Sequence, residues 1–480
     1  MQLGGSAAAV GGLAPLAACS RPSAVPAKAD HTIHIAPARI ELAPGVDVTT
    51  TAYNGQVPGP LLRFQEGRPV TIDIVNETSR PEQLHWHGQT VPVAVDGSAE
   101  EGTPYIPAHG SRRITFAPGP PGLRFYHTHL RAGGDLTAGQ YSGQVGPVYI
   151  DPRREPGRYD REVFLTLKEF EPSVSRGGDM DMDFLEPAGV VPALKASGEA
   201  AMKASLARGM PKGYEVGYKH FAINGRMLGH GEPIRVKAGE RVLFHVLNGS
   251  ATEIRSLALP GHQFQVVALD GNPVAAPRTV PVLWLGTAER VSAIVEMNHP
   301  GVWVLGDLDD DDRGHGMGTV VEYAGASGPA RWAKPAAARW NYAWFGHPSL
   351  VTPPPDQVIE MTFRKDNAAL NGFSRWTIND VAFDERSMAS MFKLKQGLRY
   401  RLRMRNASDD IHPVHLHRHS FELVSVGGQP TGGVIKDVAM LGGYQELEVE
   451  FLADNPGKTL FHCHQQMHMD FGFMALFDYL

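Results

Sequence analysis

One unit recurs three times along this 480-residue chain, and the repetition narrows the possible folds more than any other feature. The first copy reads Ala52-Tyr53-Asn54-Gly55, Gln65-Glu66-Gly67-Arg68, a run from Val70 to Val75, and Asn76-Glu77-Thr78. The second reads Ala222-Ile223-Asn224-Gly225, Lys237-Ala238-Gly239-Glu240, Val242 to Leu247, and Asn248-Gly249-Ser250. The third reads Thr377-Ile378-Asn379-Asp380, Lys395-Gln396-Gly397, Leu398 to Arg405, and Asn406-Ala407-Ser408. In the third copy Leu398, Tyr400, Leu402 and Met404 alternate with four arginines. A two-residue period sets one face on a core and the other in water. Turn, strand and asparagine turn, with no helical period between, predict an all-β fold of sandwiches or barrels.

The copies also end alike. Pro121-Gly122 stands six residues before His127-Thr128-His129, and Pro456-Gly457 six before His462-Cys463-His464. Pro300-Gly301 stands six before Gly306-Asp307-Leu308. The first and third repeats therefore carry metal-ligand residue types at one position, and the middle repeat does not. Linkers at Asp151–Asp160 and Ala324–Ala338 divide the chain into 31–155, 156–327 and 328–480, after a flexible leader over 1–30. The stretch from Ser173 to Tyr214 breaks the strand pattern and reads as an insertion with helix around Ala193 to Leu206.

A net charge of −6 without a long basic run argues against a nucleic-acid partner. There are two cysteines. Cys463 lies inside a histidine motif, and Cys19 closes Leu16-Ala17-Ala18 after an uncharged leader. That leader is too short for a membrane span. It has the form of the second half of an export signal ending in a lipoprotein box, with its basic start missing. The expectation is an exported protein, periplasmic or at the cell surface, with a lipid anchor at Cys19 and no transmembrane segment, acting as a monomer.

Of 21 histidines, ten fall in four motifs: His85-Trp86-His87, His127-Thr128-His129, His412-Pro413-Val414-His415-Leu416-His417, and His462-Cys463-His464 with His468. One His-x-His means little. Four, shared between two repeats, point to metal, and imidazole with a thiolate points to copper or zinc. On a strand, His-x-His sets both imidazoles on one face. His462 and His464 thus face one way and Cys463 the other. His415 and His417 share a face, and His412, an odd number of residues away, belongs opposite, with Cys463. One side then holds His412, Cys463 and His468, the His2Cys set of a blue-copper electron-transfer site. The other side collects eight histidines.

These four motifs, read as His85-Trp86-His87-Gly88, Tyr126-His127-Thr128-His129, the run His412 to His417, and His462-Cys463-His464 with His468, resemble the copper-binding signatures of the multicopper oxidases. That family includes laccases, ascorbate oxidase and bacterial cuprous oxidases. The resemblance implies three cupredoxin-like Greek-key β-sandwiches and four coppers. It implies type 1 ligands His412, Cys463 and His468, and type 2 ligands His85 and His415. The type 3 pair would be held by His87, His127, His129, His417, His462 and His464. A small reducing donor, phenolic or aromatic, would give up single electrons at type 1, and dioxygen would be reduced to water at the three-copper cluster. The alternative donor is copper(I), as in copper tolerance. A copper-free member is disfavoured by the full ligand set, and a two-domain nitrite reductase by the silent middle repeat.

Three departures or details matter. The axial position, five residues past His468, holds Phe473, which cannot ligate; Met474 is one residue off. Asp96 stands at the family's spacing after His85 for a proton-supplying acid, the competing reading being a turn aspartate in Asp96-Gly97. Met469 follows His468 where bacterial relatives often carry glutamate. His262 and His419 occupy matching places and read as fold residues. The acidic loop Asp307 to Asp312 reads as solvated, and Met180, Met182, Met202 and Met210 as packing rather than a copper(I) site.

Overall fold

The computed structural model describes residues 28–480 except 154–157, 176–183, 188–189, 208–212, 337, 348 and 351–352. The leader with Cys19, and Met180, Met182 and Met210, lie outside the described residues. The rest is three cupredoxin-like β-sandwiches, each a pair of sheets. In the first, Val46–Tyr53, His31–Ala43, Val70–Asn76 and Ser111–Phe116 face a sheet of Leu62–Gln65, Val145–Asp151, Gly122–His127 and His85–His87. The second and third each pair a six-stranded with a five-stranded sheet. No described helix is long and apolar enough to cross a membrane.

The repeated asparagines explain why one sequence unit makes one fold unit. Asn54, Asn224 and Asn379 all take positive φ, near +50°, a region that asparagine tolerates better than most residues. Each side-chain oxygen accepts from a strand N–H, of His34, Thr166 and Thr362 respectively. Each amide nitrogen donates to the carbonyl two residues earlier on that strand, at Thr32, Phe164 and Glu360. The later asparagines do the same work at the strand ends. Asn76, Asn248 and Asn406 accept from the N–H of Thr78, Ser250 and Ser408 while donating to carbonyls across the loop. Buried backbone groups must be paired, and these amides pair them where the ladders stop.

The period-two strand behaves as its pattern predicts. On Arg399–Asn406 burial alternates at every residue. Tyr400, Leu402 and Met404 enter the core, and the arginines lie along Glu446, Glu448 and Glu450 of the neighbouring strand. One continuous core runs through the second and third sandwiches. The first has its own, around Trp86 and Tyr126.

The insertion starts later than its composition suggests. The strand Arg161–Ser175 continues past Ser173 because Glu215 to Tyr218 pair with it as far as Ser175. Its helix, Pro192–Ala207, packs on Gln357–Leu370 of the third sandwich. The acidic loop is a short helix, Asp310–Gly314, capped by Asp309, with Asp307 and Asp312 beside the buried Arg255.

His262 and His419 are fold residues of one design. Each bonds through Nδ1 to the carbonyl two residues back, Pro260 or His417. Each bonds through Nε2 to a tyrosine hydroxyl on its sandwich's last strand, Tyr323 at 2.5 Å or Tyr479 at 2.7 Å. His262→Ala and His419→Ala should each remove about 1–3 kcal/mol of stability, the scale for leaving such partners unpaired. A lower thermal midpoint with unchanged metal content is the expected result; lost metal would mean these histidines do more than tie strands.

Candidate metal centre

Strand register places every candidate ligand. His85–His87 pairs antiparallel with Gly122–His127, His85 opposite His127. Trp86, on the other face, enters the first core against Phe64, Phe116 and Tyr126. In the third sandwich His412–Leu416 pairs with Thr459–Cys463, Val414 opposite Cys463 and His415 opposite His462. Residues opposite one another share a face. His412, two residues from Val414, therefore joins Cys463, and His415 joins His462.

The result is two sites back to back. In one, Cys463 Sγ lies 3.6 Å from His412 Nδ1 and 3.4 Å from His468 Nδ1, and those nitrogens are 3.2 Å apart. All three residues are buried. Burial pushes the Cys463 thiol well up and His412 down to about 3. A thiol becomes a thiolate in so dry a place only against a cation, which is what a soft metal ion supplies.

The other site lies at the seam of the first and third sandwiches. Its donor atoms fall into three close groups: His85, His87 and His415; His87, His127 and His464; His129, His417 and His462. Six of the eight rings are fixed from behind. His85 Nδ1 donates to the Asp96 carbonyl (2.9 Å), His127 Nδ1 to the Thr128 carbonyl (2.7 Å) and His462 Nδ1 to the Cys463 carbonyl (2.8 Å). His415 Nδ1 donates to the Asp437 carbonyl (2.7 Å), His87 Nε2 to Asp437 Oδ1 (3.1 Å) and His417 Nδ1 to Asp96 Oδ2 (2.9 Å). The inward nitrogens of His85, His87, His127 and His415, and both of His129 and His464, have no hydrogen-bond partner. Burial, reinforced by neighbouring imidazoles, pushes His87, His127, His417 and His464 well down. Imidazoles mostly oriented from behind, whose inward nitrogens have no partner or, at His417 and His462, only one another at 3.1 Å, are a donor set that fits metal ions.

The three sequence details fall out as follows. The Phe473 ring lies 4.8 Å from that of His412, in the core that holds Cys463. Met474 sits opposite His462 and packs with Phe383, Leu460, Met469 and Leu476, apart from that core. Asp96 is fully buried, its Oδ2 2.9 Å from His417 Nδ1 and 3.1 Å from His85 Nδ1. Burial raises its carboxyl, but the contacts with His85, a hydrogen bond with Glu101 and the Arg418 charge together outweigh that and hold it low.

Sequence reasoning missed Glu101 and Asp437. Glu101 lies 3.4 Å from His417 Nδ1, and burial and then the Asp96 charge push its carboxyl well up. Nothing in its local pattern marks it. Asp437 had a signal, since Lys436-Asp437 interrupts an otherwise apolar run from Val434 to Leu441.

Comparison with known proteins agrees with this geometry. Profiles described as multicopper oxidase match residues 34–155, 195–321 and 351–480. The chain is 28% identical to the multicopper oxidase MmcO of Mycobacterium tuberculosis, over 92% of this chain and 86% of that protein. It is 24% identical to Laccase-4 of Thanatephorus cucumeris, over 88% and 85%. A solved multi-copper oxidase from Pseudomonas thermotolerans matches with a TM-score of 0.68 at 25% identity, covering 94% of this chain and 100% of that one.

Copper(II) added to the metal-free protein should raise its thermal midpoint by linkage and turn it blue through the Cys463 thiolate. Cys463→Ser should lose the colour and keep the copper held by the eight histidines. A Cys463→Ser protein that is still blue overturns the partition of the two sites.

Proposed function

The chain belongs to the multicopper oxidase family, copper-dependent oxidoreductases with dioxygen as acceptor, and we propose that it is a laccase-like member that holds four coppers. His412, Cys463 and His468 hold type 1, and His85 and His415 hold type 2. His87, His127 and His464 hold one type 3 ion, and His129, His417 and His462 the other. One strand carries this reading: Cys463 faces one site while His462 and His464, its covalent neighbours, face the other. With copper bound, the chemistry supplied is one-electron oxidation of a donor coupled to four-electron reduction of dioxygen to two waters.

The residues around the metals set what that chemistry can reach. Phe473 brings hydrocarbon against the His412 ring, and Met474 is turned to the His462 face. A thioether ligand would stabilise copper(II); without one, copper held by His412, Cys463 and His468 would be the stronger oxidant, suited to phenolic and aromatic donors. Asp96 fixes His85 and His417 through Oδ2, and its Oδ1 has no partner. We assign to that oxygen the relay of the protons that dioxygen reduction consumes, since a carboxyl held low passes a proton on and does not store it.

Phe473→Met should lower the type 1 potential, because methionine is flexible and close in volume. In steady-state assays run side by side, oxidation of a high-potential phenol should slow more than that of copper(I). A wild-type enzyme faster on copper(I) than on any phenol would make it a metal oxidase instead.

Asp96→Asn keeps the size but carries no proton. Dioxygen reduction should slow by roughly 10²-fold while reduction of the blue site by donor stays near normal. Unchanged rates in both half-reactions would leave Asp96 as an orienting residue only.

A further inference from the structure

The middle sandwich supplies no ligand, yet one of its side chains reaches two of them. Arg290, fully buried on Arg290–Glu296, donates from Nη1 to Asp437 Oδ1 at 2.7 Å and from Nη2 to Oδ2 at 2.6 Å. The same Oδ1 accepts from His87 Nε2, and the carbonyl of Asp437 accepts from His415 Nδ1. One aspartate thus orients an imidazole from each ligand-bearing sandwich, leaving His87 Nδ1 and His415 Nε2 directed into the site. Asp270, also of the middle sandwich, holds the segment from the other side. Its Oδ2 accepts from the N–H of Asp437 and Val438 and forms an ion pair with Lys436 Nζ at 2.9 Å. Arg124 of the first sandwich adds a 3.2 Å contact to Asp437 Oδ2.

A second observation joins the pair to the ligand strand. Gly88 follows His87 at φ +74°, and a Cβ there would lie 2.6 Å from Asp437 Oδ2 and 2.7 Å from Arg290 Nη2. The glycine that closes His85-Trp86-His87-Gly88 therefore makes room for this ion pair against the backbone leaving His87.

We propose that Arg290 is a positioning residue for the copper cluster, acting through Asp437 on His87 and His415. This rests on the reading that the eight histidines hold copper. An ion pair kept only for stability is a poor use of buried charge, since desolvation offsets most of the attraction. Here the planar guanidinium fixes both carboxylate oxygens, so the aspartate cannot turn away from His87. Groups that orient ligands from behind typically change metal affinity 10- to 100-fold.

The test uses the full-length, copper-loaded protein, with Arg290→Gln and Arg290→Lys. Copper per chain, chelator competition and the paramagnetic resonance of the type 2 ion are read together, and the blue band serves as an internal measure of type 1 loading. In Arg290→Gln, affinity at the cluster should fall roughly 10- to 100-fold and the type 2 signal should change, with the blue band per chain intact. Arg290→Lys keeps the charge but not the fork and should recover part of the affinity. If Arg290→Gln does not fold, Arg290→Lys carries the same comparison against wild type. Variants that match wild type in cluster affinity and resonance overturn the proposal. So does equal loss of blue and cluster copper together with a lower unfolding midpoint, because Arg290 is then only a tie between sandwiches. Wild type that takes up no copper at the eight histidines overturns the underlying reading before any variant is compared.

Discussion

Successive side chains of an extended strand leave on opposite faces, and at His462-Cys463-His464 that period separates two sets of metal-ligating side chains while keeping them covalently joined. Everything else in the third sandwich serves this strand. Its neighbour His412–Leu416 is in the register that sets Val414 opposite Cys463 and His415 opposite His462. A slip of one residue would send every ligand to the wrong face. The asparagine amides at the strand ends, repeated in all three sandwiches, and the tyrosine tethers of His262 and His419 resist such a slip. They pair backbone groups and histidine nitrogens at the points where each ladder ends.

The division of labour among the sandwiches follows from which faces are left free. In the first, Trp86 turns inward and closes the core, and His85 and His87 are delivered to the seam. In the third, the same alternation delivers His415, His417, His462 and His464 to that seam from the opposite side. The middle sandwich shares its hydrophobic core with the third and presents buried charge where the others present imidazole. Its acidic loop, in the place of the third repeat's ligand loop, is spent on capping a short helix and neutralising Arg255.

Much of this was legible in the sequence because it depends on period and spacing. Which histidines share a face, the opposition of His412 to His415, and the pairing of His262 with His419 all follow from counting residues along strands. The strand runs three residues into the stretch read as an insertion because the polar end of Arg161–Ser175 is held by its partner Glu215–Ile223 rather than by its own composition. Glu101 and Arg290 were not legible. Their contacts with His417 and Asp437 cross between sandwiches, and only the docking of those sandwiches brings them together. Asp437 is intermediate: two adjacent charges in an apolar strand announce a buried partner without naming it.

Asp437 meets Arg290 across 147 residues of chain and His87 across 350. Contacts of such separation form late, since the intervening chain must be organised before they reward closure. The first sandwich has its own core and the second and third share one, but the contacts that orient His87 and His415 exist only where all three meet. If the eight histidines hold copper as proposed, uptake at the seam is a checkpoint on assembly. A chain with one sandwich misdocked would offer that seam an incomplete set of donors, so completed tertiary structure, rather than ligand sequence, would decide which molecules acquire metal there.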